Sequence, residues 1–208
     1  MKIAVGGMIA SGKSTLVKSL GTVYDLPIME EFRKDDKVFD TLLGWLYEGV
    51  EDVEMLLQVY FLHKHYNEQL KHEGDVVVDR HIIEHWLFAQ ENLKEKPEVL
   101  NFYNGLFHQY MNKVIHPDIY VILSLSWETF VERIKGRGRP QEIENFDNNI
   151  EYFKGLHRDY EKKLKAQCEI YGIPYITINV DGKEKEETLM ITKNKINEIY
   201  DDYVVYKP

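Results

Sequence analysis

The chain has 208 residues, 44% of them hydrophobic, which predicts a single domain with a sizeable core. A formal charge of −9 excludes broad, sequence-blind nucleic-acid binding, which needs a basic face. The one cysteine excludes an internal disulfide, and no apolar run approaches the roughly 18–20 residues of a membrane span, so a cytoplasmic protein is expected.

The first element, Lys2-Ile3-Ala4-Val5, reads as a short buried strand rather than a signal peptide. It runs into Gly7-Met8-Ile9-Ala10-Ser11-Gly12-Lys13-Ser14, the G-x-x-x-x-G-K-S pattern of a phosphate-binding loop. Glycines let the backbone turn tightly and bring its N–H groups against phosphates. Lys13 supplies a mobile positive charge and Ser14 a hydroxyl for Mg²⁺. A helix over 13–20 then points its N-terminus at the anion. The pattern predicts nucleoside triphosphate binding.

A second strand, Leu26-Pro27-Ile28-Met29, delivers Glu30 and Glu31 to its end. Helices are predicted over 39–47 and 51–72. The run Val76-Val77-Val78 is a central strand buried on both sides, closing in Asp79-Arg80-His81. Helical segments interrupted near Pro97 follow. A strand at 120–123, a helix over 127–135, a basic loop, a helix over 147–171, a strand at 175–178 and a helix over 184–200 complete the chain. Cys168 extends an apolar stripe and is read as core. The alternation predicts a doubly wound α/β domain over 1–208: five parallel strands with helices on both faces and ligands at the carboxyl ends of the strands.

Those strand ends hold the candidate chemistry. Glu31, with Glu30 as its rival, is a candidate general base for a hydroxyl attacking a γ-phosphoryl group. Read without the loop beside it, it is a surface glutamate. Asp79 is a candidate Mg²⁺ partner, and Arg80 a candidate to steer Glu31 or the acceptor oxygen; the plainer reading is a helix cap and an exposed arginine. Arg133, Arg137 and Arg139, interleaved with Gly136 and Gly138, form the one dense basic patch of an acidic chain. It reads as a lid over about 133–145 that closes on the triphosphate and excludes water, with Glu142 on its far side. Gln58 and His65 share a helix face. From the residues alone Gln58 is solvated, and His65 and His85 are surface or packing histidines.

Together these motifs resemble the deoxynucleoside kinases, especially compact bacterial deoxyadenosine and deoxyguanosine kinases. The likeness spans nearly the whole chain and is most specific in the lid spacing and in Tyr47 standing eleven residues before Gln58. It implies a P-loop kinase that transfers the ATP γ-phosphoryl group to a deoxynucleoside 5′-hydroxyl. Residues 7–14 and Thr15 would hold the phosphates, and the loop at Asp181 the adenine. Glu31 would be the base and Arg80 its partner. Lys13, Arg133, Arg137 and Arg139 would neutralise transition-state charge, and Ser14 and Asp79 would serve Mg²⁺. Tyr47 and Glu142 would bind the sugar and Gln58 the base. The resemblance also implies a homodimer acting on small molecules, with no nucleic acid or membrane partner. The chain departs from the family at Phe32, where proline is usual, and at His81, where serine or threonine is common. His65 and His85 stand where arginine and aspartate often read the base, and as histidines they are expected to titrate near neutrality. Purine deoxynucleosides are the first expectation, with thymidine or mixed specificity open. A nucleoside monophosphate kinase such as thymidylate kinase, and a nucleotide-binding regulatory protein, are the alternatives.

Overall fold

The computed structural model describes residues 1–31, 36–72, 74–136, 146 and 149–200. The lid residues Arg137, Arg139 and Glu142, the side chain of Tyr47, and Phe32 lie outside the described residues. In chain order the elements are β1 (Lys2–Gly7), α1 (Lys13–Tyr24), β2 (Ile28–Met29), α2 (Lys37–Tyr47), α3 (Val53–Leu70), β3 (Val76–Asp79) and α4 (Ile83–Asn92). They continue as α5 (Pro97–Met111), β4 (Ile119–Ser124), α6 (Trp127–Gly136), α7 (Ile150–Ile170), β5 (Tyr175–Asn179) and α8 (Lys185–Ile199).

The five strands pair in the order β2-β3-β1-β4-β5, all parallel. The expected strand at 26–29 is cut to two residues for a local reason. Leu26 spends its N–H on the carbonyl of Gly21 at the end of α1, and Pro27 has none to give. Pro97 sits at the first turn of α5, where its missing N–H costs nothing, and so marks the break from α4.

Ile3, Val5, Val77, Val121 and Ile122 are fully buried, as strands covered on both faces require. Each such side chain contributes roughly 1.5–3 kcal/mol by leaving water. Helices α1 and α8 pack together on the sheet, while α4 packs with α3, α5 and α7. Cys168 belongs to the main core. A second, smaller cluster of Leu42, Val53 and Leu57 joins α2 to α3. Among the described residues no helix is long and apolar enough to cross a membrane.

This topology sets the site. β1 lies between β3 and β4, so the loop leaving β1 emerges beside the end of β3. Val5 is in register with Asp79, and the N–H of Arg80 reaches the Val5 carbonyl at 3.0 Å.

Candidate active site

The phosphate loop bridges β1 and α1. Gly12, the last residue before the helix, has φ of 95°, a conformation that a side chain would strain. Among the described residues no side chain caps α1, which leaves its first N–H groups available to an anion. Lys13 is buried and donates to the Met8 carbonyl at 3.0 Å, folded back across the loop. Burial, then the positive charge of Arg80, lower its pKa to about 8, against the opposite pull of Glu31, Glu84 and Asp79. Ser14 and Thr15 are exposed on the first turn of α1.

Arg80 follows β3 directly and has φ of 70°, a left-handed conformation that costs a non-glycine residue about 1–3 kcal/mol and gathers at functional sites. The strand-end geometry turns its side chain inward, and only 3% of it is exposed. Its Nε lies 2.7 Å from Glu31 Oε1, and its Nη1 lies 2.7 Å from Glu84 Oε2. Nη1 also donates to the Tyr160 hydroxyl at 2.5 Å, and the guanidinium stands 5.0 Å from the centre of the Phe88 ring. The exposed-arginine reading is therefore overturned: the sheet end buries it.

Glu31, not Glu30, is the carboxylate in this arrangement; Glu30 is exposed. Desolvation raises the Glu31 pKa, opposed by Arg80 and Lys13 and reinforced by Asp79 and Glu84. A carboxylate raised in this way, beside a cation that orients it, is suited to accept a proton. Asp79 is buried, and its Oδ1 has no partner among the described residues. A buried, unpaired carboxylate oxygen at the strand end next to a phosphate loop fits an oxygen-seeking cation such as Mg²⁺.

Arg133 lies on α6 rather than in the loop beyond it. Its Nη1 donates to the Ser11 carbonyl at 3.2 Å and its Nη2 to the Val180 carbonyl at 2.9 Å, so it links the phosphate loop to the turn after β5. In that turn Asp181 accepts from the Ser126 N–H at 2.9 and 3.1 Å and from the Asn179 side chain. Partial burial pushes its pKa up, but these bonds win and hold it at about 2. The Asp181 carboxylate thus shapes the loop between β5 and α8.

On α3, Gln58 is 1% exposed. This corrects the solvated reading: α3 turns that face to the protein. Its Oε1 has no partner among the described residues. One face further along, His65 Nδ1 and His85 Nε2 meet at 2.7 Å, both rings buried, with Phe61 stacked on His85 at 5.8 Å. Desolvation lowers His65 to about 3 and His85 well below its ordinary value, with neighbouring positive charge assisting. The expected titration near neutrality is thereby corrected: buried imidazoles stay neutral. His81 is also buried, and burial lowers its pKa as well.

Sequence reasoning missed Glu84, Tyr120 and Tyr160. The available signal was the spacing of four between Arg80 and Glu84, the spacing of a helical ion pair. A surface cleft of about 670 Å³ lined by Glu91, Lys94, Trp127 and Glu151 includes none of the candidate residues.

The chain matches the family model for deoxynucleoside kinase over residues 3–203. It is 32% identical over 206 residues to an uncharacterized protein of Mycoplasma pneumoniae, covering 93% of this chain and 90% of that one. To a deoxyguanosine kinase of Lactobacillus johnsonii it is 32% identical, covering 97% and 96%. A structure of deoxyadenosine kinase from M. mycoides with products dCMP and a flexible dCDP bound superposes with a TM-score of 0.77 at 25% identity, covering 96% of this chain and all of that one. These likenesses decide against the monophosphate-kinase and regulatory-protein alternatives. With the match running from the first strand through the last helix, the chain belongs to the deoxynucleoside kinase family of ATP-dependent enzymes.

Proposed function

We propose that the chain transfers the γ-phosphoryl group of ATP to the 5′-hydroxyl of a deoxynucleoside, with purine deoxynucleosides preferred. The observation that carries the reading is the 2.7 Å ion pair between Glu31 and Arg80 beside Lys13 and the phosphate loop. Phosphoryl transfer asks a protein mainly for positioning and charge stabilisation. Glu31 takes the proton of the attacking hydroxyl, while Arg80 orients that carboxylate and touches the 5′-oxygen. Lys13 leaves the Met8 carbonyl to meet the phosphates. Arg133, Arg137 and Arg139 add charge from the lid side, and closure there keeps water from competing for the phosphoryl group. Asp79 and Ser14 would hold Mg²⁺, which would supply neutralisation of phosphate charge. Residues 7–15 take the phosphates and the loop shaped by Asp181 takes the adenine. Tyr47 and Glu142 take the sugar 3′-hydroxyl.

Gln58, His65 and His85 read the base. Either ring of the histidine pair can donate across its 2.7 Å contact. The two remaining ring nitrogens therefore exchange donor and acceptor roles, which suits the opposite hydrogen-bonding edges of adenine and guanine. The deoxyguanosine kinase of L. johnsonii supports the purine preference, whereas the deoxyadenosine kinase structure carries dCMP and dCDP and so supports a pocket that also takes cytosine. A cytoplasmic homodimer working in nucleotide salvage completes the reading; light scattering of the purified chain tests the dimer. Incubation with Mg·ATP and each of the four deoxynucleosides tests the activity. Deoxyadenosine and deoxyguanosine should give their 5′-monophosphates fastest, and no monophosphate from any of the four would overturn the reading.

A further inference from the structure

Glu84 stands in the first turn of α4, where an acid normally faces water and complements the helix dipole. Here its carboxylate is fully buried. It accepts from the Gly7 N–H at 3.0 Å, from Arg80 Nη1 at 2.7 Å, from the Tyr120 hydroxyl at 2.6 Å and from the Tyr160 hydroxyl. Those donors come from the end of β1, the residue after β3, the start of β4 and α7. Tyr160 in turn accepts from Arg80 at 2.5 Å, so guanidinium, phenol and carboxylate close a ring of contacts.

A second observation points to the same carboxylate. A side chain at Gly6 would put its Cβ 2.5 Å from Glu84 Oε1 and 2.6 Å from Tyr120 Cε1. The phosphate-loop pattern begins one residue later and makes no demand on Gly6. The glycine is there to let β1 pass against the buried acid.

Stability does not explain this arrangement. A buried ion pair costs several kcal/mol of desolvation per ion, and apolar residues of similar volume often do as well. What the network does achieve is geometric. Arg80 is ion-paired at Nε with Glu31 and hydrogen-bonded at Nη1 to Glu84 and Tyr160, and these contacts on both sides of the fork oppose its rotation. The same Glu84 oxygen that holds Nη1 also holds the first amide of the phosphate loop. We propose that Glu84 is a positioning residue for phosphoryl transfer, fixing the Arg80 guanidinium and the start of the phosphate loop in one register so that Glu31 meets the acceptor hydroxyl in line with the γ-phosphate. This rests on the kinase reading above, with Glu31 and Arg80 as the groups that touch the reacting atoms.

The test is a kinetic cycle on the full chain with Mg·ATP and the deoxynucleoside it phosphorylates fastest. Wild type, Glu84→Gln, Arg80→Lys and the double variant are compared for kcat, KM, equilibrium ATP binding and thermal melting. Glu84→Gln keeps the volume and removes the charge. A displaced reacting group costs about 100-fold, and that is the expected fall in kcat, with ATP binding retained. Because Glu84 acts on Glu31 through Arg80, Glu84→Gln should slow the Arg80→Lys background far less than it slows wild type, with the Gly7 contact accounting for what remains. Wild-type kcat in Glu84→Gln, or losses that multiply in the double variant, would overturn the proposal. If Glu84→Gln does not fold, Tyr160→Phe takes its place. It removes two charge-assisted hydrogen bonds, one from Arg80 and one to Glu84, so kcat should fall at least about tenfold, and most of that loss should vanish in the Arg80→Lys background; full persistence there would overturn the proposal. An inactive wild type would remove the kinase reading and this inference together, whereas an active wild type with independent losses removes only the inference.

Discussion

The two ends of the site are built in opposite ways. Around Arg80 the groups are charged or strongly polar and mostly engaged: Glu31, Glu84, the Tyr160 hydroxyl and the Gly7 N–H are already in contact with one another or with the guanidinium. Around Gln58 the groups are neutral, and two of them, Gln58 Oε1 and His65 Nε2, are buried with no partner among the described residues. Chemistry that must stabilise developing charge gains from dipoles and ions fixed in advance. Selection of one base gains from buried groups that stay unpaired until the right edge arrives, because the wrong one leaves them so. On the proposed reading, the first end is preorganised for a transition state, and the second is completed by its ligand.

The largest effect should come from the charged end. Glu31→Gln keeps the shape, and gives Arg80 an amide oxygen in place of a carboxylate, but removes the proton acceptor. General-base catalysis contributes about 10²–10⁴-fold, so kcat should fall by that order while ATP binding, measured by calorimetry, persists. The wild-type pH profile sharpens the assignment. The base must be ionised to act, and burial raises its pKa above the ordinary 4.5. Activity should therefore fall with acid at a higher pH than an ordinary glutamate would give, and that limb should disappear in Glu31→Gln. Selectivity between bases should not change over the range in which free histidine titrates, because His65 and His85 stay neutral there.

A smaller effect concerns Lys13. Its pKa in the free protein is lowered to about 8 by burial and Arg80. Below that pH it is charged before ATP arrives. Above it, binding a polyanion must take up a proton, so ATP affinity should fall as pH rises through 8, approaching about tenfold per pH unit. Calorimetry in buffers of different ionisation enthalpy should show proton uptake at pH 9 and little at pH 7. No uptake at the higher pH would mean that Lys13 is already charged in the empty loop.

The same contrast explains what was legible in the sequence. The strands were, because Val76-Val77-Val78 and the run at 119–123 are apolar without interruption, and the phosphate loop carries its own spacing. So was the neighbourhood of Glu31 and Asp79-Arg80, since parallel strands bring their carboxyl ends together. Helix α3 was misread because its pattern is inverted. Leu56 and Leu70 are exposed while Gln58, His65 and Gln69 are buried. Hydrophobic periodicity reports a core, and on the proposed reading the polar part of this face is kept for a ligand instead. Glu84 was invisible for a similar reason: an acid in a first helical turn is the commonest of surface residues, and only the sheet end above it shows otherwise.

The smallest effect separates the two ends most sharply. In the empty protein an unpaired buried amide oxygen at Gln58 is a liability of about 1–3 kcal/mol. Methionine has similar length and no polar atom to satisfy. Gln58→Met should therefore raise the melting temperature of the ligand-free chain by a few degrees, as about 1 kcal/mol does in a domain of this size. It should also raise KM for the deoxynucleoside and leave ATP binding alone. Stabilisation bought at the cost of substrate affinity is the signature of a residue kept for a ligand. A drop in melting temperature would show that Gln58 is held by the protein itself, and the base end would then be as complete before binding as the end that carries Arg80.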